Sequence, residues 1–353
     1  MSKLEQLRES FKDLGIDGLL VTNSYNRRYI TNFTGTAGVA LISEKGAAFI
    51  TDFRYVEQAS EQVKEFEIVQ HSASIVEEVA KQAARLGIKK LGFEQDDLSF
   101  STYSAYKNEV EAEFVPVSGA IEKLRLIKSE SEIKILKEAA QIADAAFTHI
   151  LDVIRPGVTE LEVSNELEFF MRKQGAVSSS FDIIVASGHR SALPHGVASE
   201  KVIEKGEFVT LDFGAYYKGY CSDITRTVAV GNPSDELKKI YDIVLEAQLR
   251  GMAGIKPGMT GKEADALTRD YITEKGYGEY FGHSTGHGLG MEVHEQPSLS
   301  VRSDSILEPG MIVTVEPGIY IAGLGGVRIE DDTVVTKDGN ESLTFSTKEL
   351  IIL

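Results

Sequence analysis

Five side chains have the types and spacing to hold divalent cations: Asp212, Asp223, His287, Glu316 and Glu330. In VTLDFGAYYKGYCSDITRTV, a tight turn at Lys218-Gly219 sets Asp212 across from Thr225 and Asp223 across from Gly214. Side chains alternate along a strand, so both aspartates share a face with Thr210, Thr225 and Thr227, while Val209, Leu211, Phe213, Ile224 and Val228 take the other. In a later segment Thr314 and Glu316 alternate with Val313 and Val315, and Arg328 and Glu330 with Val327 and Ile329. Each hairpin offers two carboxylates on its polar side.

If the hairpins face each other, four carboxylates converge and raise one another's pKa unless cations neutralise them. His287, in the glycine-rich HSTGHGLG, adds a neutral nitrogen. One imidazole with four oxygen ligands suits Mn, Co, Fe or Zn, and it exceeds what a single catalytic zinc takes. The set fits two metals about 3.5–4 Å apart, with a water of lowered pKa between them as nucleophile.

The elements that position these residues repeat. RPGVTELEV at 155–163 matches KPGMTGKEA at 256–264, and Gly175 and Gly276 end the following helices at the same separation. IEKGEFVTLDFG at 203–214 matches LEPGMIVTVEPG at 307–318, which puts Asp212 on Glu316. Asp223 then corresponds to Glu330 if the second turn is about three residues longer, a helix-and-hairpin unit used twice about a pseudo-twofold axis. Alone, Asp212 and Asp223 would read as surface acids beside a turn, and His287 as a structural histidine. The equivalence of the two copies reverses that reading.

Upstream, short strands alternate with helices: GLLVT, a hairpin around Gly46, a helix at 74–86, KKLGFE, a helix at 100–111 and FVPVS. LRLIKSESEIKIL changes the pattern, with Ser129 and Glu132 spaced as a capping box ahead of a long apolar-periodic helix. The chain is therefore divided into a smaller α/β domain at 1–124 and a catalytic α/β (α+β) domain at 125–353.

Lys+Arg 37 against Asp+Glu 54 gives a net charge of -17, which would repel nucleic acid and anionic lipid. No apolar run approaches the roughly 20 residues of a membrane span. One cysteine, Cys221, excludes an internal disulfide, and MSKLEQLRES lacks the apolar core of a signal peptide, so a soluble cytoplasmic protein is expected. Alternation puts Cys221 on the face of Asp223, but a thiol among hard oxygen ligands matches no familiar set. The glycines of GLGMEVHEQP lack the context of a phosphate-binding loop.

Taken in order, Asp212, Asp223 eleven residues on, HSTGHGLG, VEPG and RIEDD resemble the pita-bread metallopeptidases, which include aminopeptidase P, prolidase and methionine aminopeptidase. The resemblance covers essentially the whole chain. YITNFTG and TDFRY are similar to the N-terminal domain of the aminopeptidase P and prolidase branch, whereas methionine aminopeptidases are similar only in the catalytic half. The resemblance implies that Asp212, His287 and Glu316 are terminal ligands and that Asp223 and Glu330 bridge. It implies that His195 of LPHG and His294 of EVHE contact substrate and the tetrahedral intermediate, and that Glu316 relays a proton. His283 and Arg328 look like supports of the ligands, with Arg328 reading equally as a plain salt-bridge partner of Glu330. The implied activity is hydrolysis of the N-terminal Xaa-Pro bond of peptides or dipeptides by a hydroxide bridging two metal ions. Mn is the first expectation, with Co or Zn as alternatives, in a homodimer. A methionine-aminopeptidase-like exopeptidase, a metal-free creatinase-like C–N hydrolase and a non-catalytic pita-bread binding module are the alternatives. Retention of all five ligands weighs against the last two.

Overall fold

Helix starts written into the sequence frame the fold. In the computed structural model, which describes residues 1–353, Ser129, Thr159 and Thr260 cap the helices Glu130–Ile150, Glu160–Lys173 and Gly261–Glu274. Each cap hydroxyl accepts the amide three residues on, and Glu132, Glu162 and Glu263 reach back to the cap amides.

The chain forms two units, Met1–Arg125 and Leu126–Leu353. In the first, a six-stranded mixed sheet runs in the order 67–70, 47–51, 39–43, 18–21, 90–94, 113–117. The strand Gly18–Val21 is antiparallel to Val39–Ser43 and parallel to Lys90–Glu94. Leu19, Leu20 and Val21 are buried, so the run is apolar throughout rather than alternating.

The second unit uses two helices and a hairpin twice. Glu130–Ile150 and Glu160–Lys173 cover the apolar face of the hairpin Glu207–Phe213 and Ile224–Val230, with Phe147, Val163 and Leu167 against Val209, Leu211 and Phe213. Asp235–Gly254 and Gly261–Glu274 serve the second hairpin, with Val244 and Ile272 clustered with Ile319, Val327 and Ile329, and Ala264 with Val313 and Val315. Each buried valine, leucine, isoleucine or phenylalanine here contributes about 1.5–3 kcal/mol, which holds the polar faces in place from behind. The approach to each second helix repeats as well: Gly157 N–H donates to the Ile203 carbonyl at 3.0 Å, and Gly258 N–H to the Leu307 carbonyl at 2.8 Å. No helix is long and apolar enough to cross a membrane.

The first hairpin has the expected register, Asp212 opposite Thr225, and its turn residues Lys218 and Gly219 lie at φ 49° and 92°. The hairpins differ from the sequence reading in two ways. First, they are interrupted at the acids. Asp223 falls between Tyr220–Cys221 and Ile224–Val230, Glu316 between Ile312–Val315 and Gly318–Ile321, and Glu330 between Gly325–Arg328 and Asp331–Val335. There the backbone amides leave their own ladder: Asp223 N–H donates to Asp332 Oδ2 at 2.9 Å, Glu316 N–H to the Thr285 carbonyl at 2.8 Å and Glu330 N–H to the Thr225 carbonyl at 3.1 Å. Cys221 is buried with its thiol against the Met291 carbonyl at 3.7 Å, and it is not among the residues that line the cavity of the acids.

Second, the repeat is not in register. The pairs Val315 with Asp331 and Gly318 with Arg328 place Glu316 opposite Glu330, whereas Asp223 lies two residues nearer its turn than Thr225, the partner of Asp212. The second acids of the two copies are therefore offset by two residues rather than equivalent. An even offset keeps the same face.

Replacing Thr159 or Thr260 by alanine should each cost about 1 kcal/mol in urea unfolding, and the double replacement about the sum, because the caps share no partner.

Candidate metal centre

His195, Asp212, Asp223, His283, His287, His294, Glu316, Arg328 and Glu330 all line one cavity of about 510 Å³. The backbone sets His287 first. A Cβ on Gly286 would lie 1.9 Å from the Thr314 carbonyl oxygen, and one on Gly288 would lie 2.1 Å from that of Gln296, so only glycine lets the strands close around this histidine. His287 Nδ1 is 3.0 Å from the Gly288 carbonyl, which can only accept. The proton therefore sits on Nδ1, and the Nε2 lone pair faces Glu316 Oε1 at 3.4 Å and Asp223 Oδ2 at 3.8 Å. Burial, aided by the neighbouring His294, pushes the His287 pKa down to about 4, so the ring is neutral at pH 7.

Asp223, His287 and Glu330 offer ligand atoms that all lie within 4.8 Å of one another. Burial is the main force raising the pKa of Asp223, reinforced by Glu330 and Asp212. It raises Glu330 likewise, reinforced by Glu316 and Asp212, and it lifts Glu316 to about 8 against the opposing pull of Arg328. Asp212 Oδ1, Asp223 Oδ1 and Glu330 Oε1 are buried with no hydrogen-bond partner. Buried carboxylate oxygens left bare are costly and uncommon, and such oxygens are the ligands that hard divalent cations take. The donor set fits a cation cluster.

Arg328, 3% exposed, ties the carboxylates to the rest of the wall. Its guanidinium donates through Nη2 to Asp212 Oδ2, through Nε to Thr225 Oγ1 at 3.1 Å and through Nη1 to the Tyr320 hydroxyl at 2.7 Å. Thr225 in turn donates to Glu330 Oε2 at 2.5 Å. Tyr320 lies 2.8 Å from His283 Nε2, and His283 Nδ1 lies 2.8 Å from the Ser284 carbonyl. Burial alone would weaken the charge on Arg328, but Tyr320, Asp212, Glu316 and Glu330 reverse that and hold it protonated. Its partner is thus Asp212 of the other copy, not its own neighbour Glu330.

Two members of this network escaped the sequence reading. Tyr320 follows Gly318, the partner of Arg328, by two residues, so alternation places it on the same face. Asp332 follows Glu330 by two; it is buried, holds the Asp223 amide through Oδ2 and leaves Oδ1 unpartnered. His195 and His294 are exposed residues of the cavity wall, and the His294 ring meets that of His287 edge-on at 4.4 Å between centroids.

Arg328→Lys keeps a charge but loses the fork that serves three acceptors. Divalent-metal affinity, measured by titration calorimetry, should fall about 10- to 100-fold.

Residues 134–337 match metallopeptidase family M24, and residues 3–127 match the creatinase/prolidase N-terminal domain. A solved Xaa-Pro dipeptidase from Bacillus anthracis is 75% identical, covers 99% of both chains and superposes with a TM-score of 0.99. An Xaa-Pro dipeptidase from Pyrococcus horikoshii is 43% identical over 99% of this chain and 98% of its own length. A solved X-Pro aminopeptidase from Thermotoga maritima is also 43% identical, with a TM-score of 0.90 over 98% of this chain and 100% of its own. Matched by sequence at both domains and by fold along nearly its whole length, the chain belongs to metallopeptidase family M24, its pita-bread domain preceded by a creatinase/prolidase N-terminal domain.

Proposed function

We propose that the chain hydrolyses the N-terminal Xaa-Pro bond of short peptides, with two divalent ions held by Asp212, Asp223, His287, Glu316 and Glu330. The observation that carries the reading is the trio of buried, unpartnered oxygens on Asp212, Asp223 and Glu330, gathered where the neutral His287 presents its lone pair. The dipeptidase and aminopeptidase relatives supply the substrate class. An oxygen-rich set with one imidazole favours Mn. When bound, such ions polarise the scissile carbonyl and lower the pKa of a water.

The side chains of the chain do the rest. Glu316, on the cavity wall beside the neutral His287, is placed to take up and return a proton during the reaction. His195 and His294, exposed at the cavity, reach the developing oxyanion and the peptide ends. Phe181, Ile184, Val197 and Val293 give part of the wall an apolar surface suited to the proline ring, whose nitrogen carries no hydrogen to satisfy. The single, unbridged Cys221 suits action in the reducing cytoplasm.

A panel of Xaa-Pro, Xaa-Pro-Yaa and Met-Ala-Yaa peptides assayed with Mn tests the reading. Xaa-Pro cleavage should be abolished by a chelator and restored by Mn. Cleavage of Met-Ala-Yaa alone, or inactivity of the loaded protein on every Xaa-Pro peptide, would overturn it.

Loading should also release protons. Glu316 is protonated below about pH 8 and the pKa values of Asp223 and Glu330 are raised, so in the metal-free protein a cation must displace protons, while His287, neutral above about pH 4, contributes none. Mn affinity should rise from pH 6 to pH 8, and calorimetry in buffers of different ionisation enthalpy should show net proton release.

A further inference from the structure

Glu160 opens the helix Glu160–Lys173 and has no exposed surface. Its carboxylate receives five donors. On Oε1 these are the Ser187 amide at 2.7 Å and the Ser187 hydroxyl at 2.9 Å. On Oε2 they are the Ser199 amide at 3.1 Å, the Ser199 hydroxyl at 2.6 Å and the Arg190 guanidinium. Ser187 and Ser199 are the two ends of one loop, and that loop carries His195.

The helix start repeats the grip with its backbone. Glu160 N–H donates to the Lys201 carbonyl at 3.0 Å and Leu161 N–H to the Ser199 carbonyl at 3.0 Å. Arg190 uses its other amine on the Val197 carbonyl at 3.0 Å, two residues past His195. On the far side of the loop, Ser191 Oγ accepts the Gly326 amide at 2.8 Å, which joins the loop to the strand that ends in Arg328. His195 itself is exposed, so its place in the cavity wall depends on the segment that carries it.

We propose that Glu160 is a positioning residue for His195: it closes the base of the 187–199 loop and so fixes where the imidazole stands against the substrate. The chemistry is specific to a carboxylate. An ionised carboxylate only accepts, so donors can converge on both of its oxygens, whereas an amide would turn its own N–H groups toward some of them. The inference rests on the peptidase reading only in that His195 touches substrate.

The test is a double-mutant cycle on the Mn-loaded enzyme with an Xaa-Pro dipeptide. Glu160→Gln should lower kcat about 10- to 100-fold, with a smaller change in KM and unchanged metal content. In a His195→Ala background the same substitution should change kcat by less than about threefold. Equal losses in both backgrounds, or a loss of metal that matches the loss of activity, would overturn the proposal. If Glu160→Gln does not fold, Ser199→Ala, which removes a single hydroxyl donor, takes its place in the cycle with a smaller effect of the same pattern. A second readout needs no turnover. In zinc-loaded protein the imidazole NMR signal of His195, assigned by its absence in His195→Ala, should shift or broaden on Glu160→Gln while that of His149 stays; an unmoved His195 signal overturns the proposal. A wild-type enzyme inactive on all Xaa-Pro peptides would sink the peptidase reading instead and leave the NMR result to decide the positioning.

Discussion

Gathering Asp212, Asp223, Glu316 and Glu330 around one cavity is the constraint that the second unit is organised to meet. Like charges at such separations, largely shielded from water, cannot all ionise without compensation. Arg328 is one built-in answer, since it couples to Asp212 directly and to Glu330 through Thr225. The interrupted strands are another. Where a ladder would have held the amides of Asp223, Glu316 and Glu330 within their own hairpin, those amides bind across to other segments and pin the acids in place. The apolar helices behind each hairpin supply the burial that pays for this concentration of charge.

The histidines depend on loops, and loops need anchors to act as precise parts of a site. Both glycine-terminated helices provide them. Glu160 grips the segment bearing His195. Asp265, at 1% exposure, accepts the Thr285 amide at 3.0 Å and pairs with Arg269, which donates to the carbonyls of Phe281 at 3.0 Å and His283 at 2.6 Å. The helix after each proline-glycine turn thus immobilises one histidine-bearing segment through a buried acid. The two acids do not stand at equivalent positions, because Glu160 falls in the first turn of its helix and Asp265 in the second.

What the sequence makes legible is local or periodic. The capping box at Ser129 lies within four residues, and the Lys218-Gly219 turn fixes the register of Asp212 because a two-residue loop leaves no slack. The shared face of the acids survives even a wrong register, since alternation is insensitive to a two-residue shift. What stays hidden is pairing between distant segments. The Arg328 contact with Asp212 spans 116 positions, and nothing near Arg328 in sequence distinguishes it from a partner of Glu330. The offset between the copies depends on a three-residue loop at 322–324 and on strand interruptions that leave no compositional mark. Glu160 is hidden for a different reason: an acid in the first turn is what any helix favours, so its second task carries no signature.

The chain from Arg328 through Tyr320 to His283 has a polarity. Arg328 can only donate, so the Tyr320 oxygen must accept and its hydroxyl must point at His283 Nε2, which leaves Nδ1 to donate to the Ser284 carbonyl. A guanidinium at one end has no lone pair to receive a proton, and a peptide carbonyl at the other is too weak a base to hold one. The path is a one-way street closed at both ends. Although it runs along the cavity wall and includes an imidazole, it cannot serve as a wire for protons.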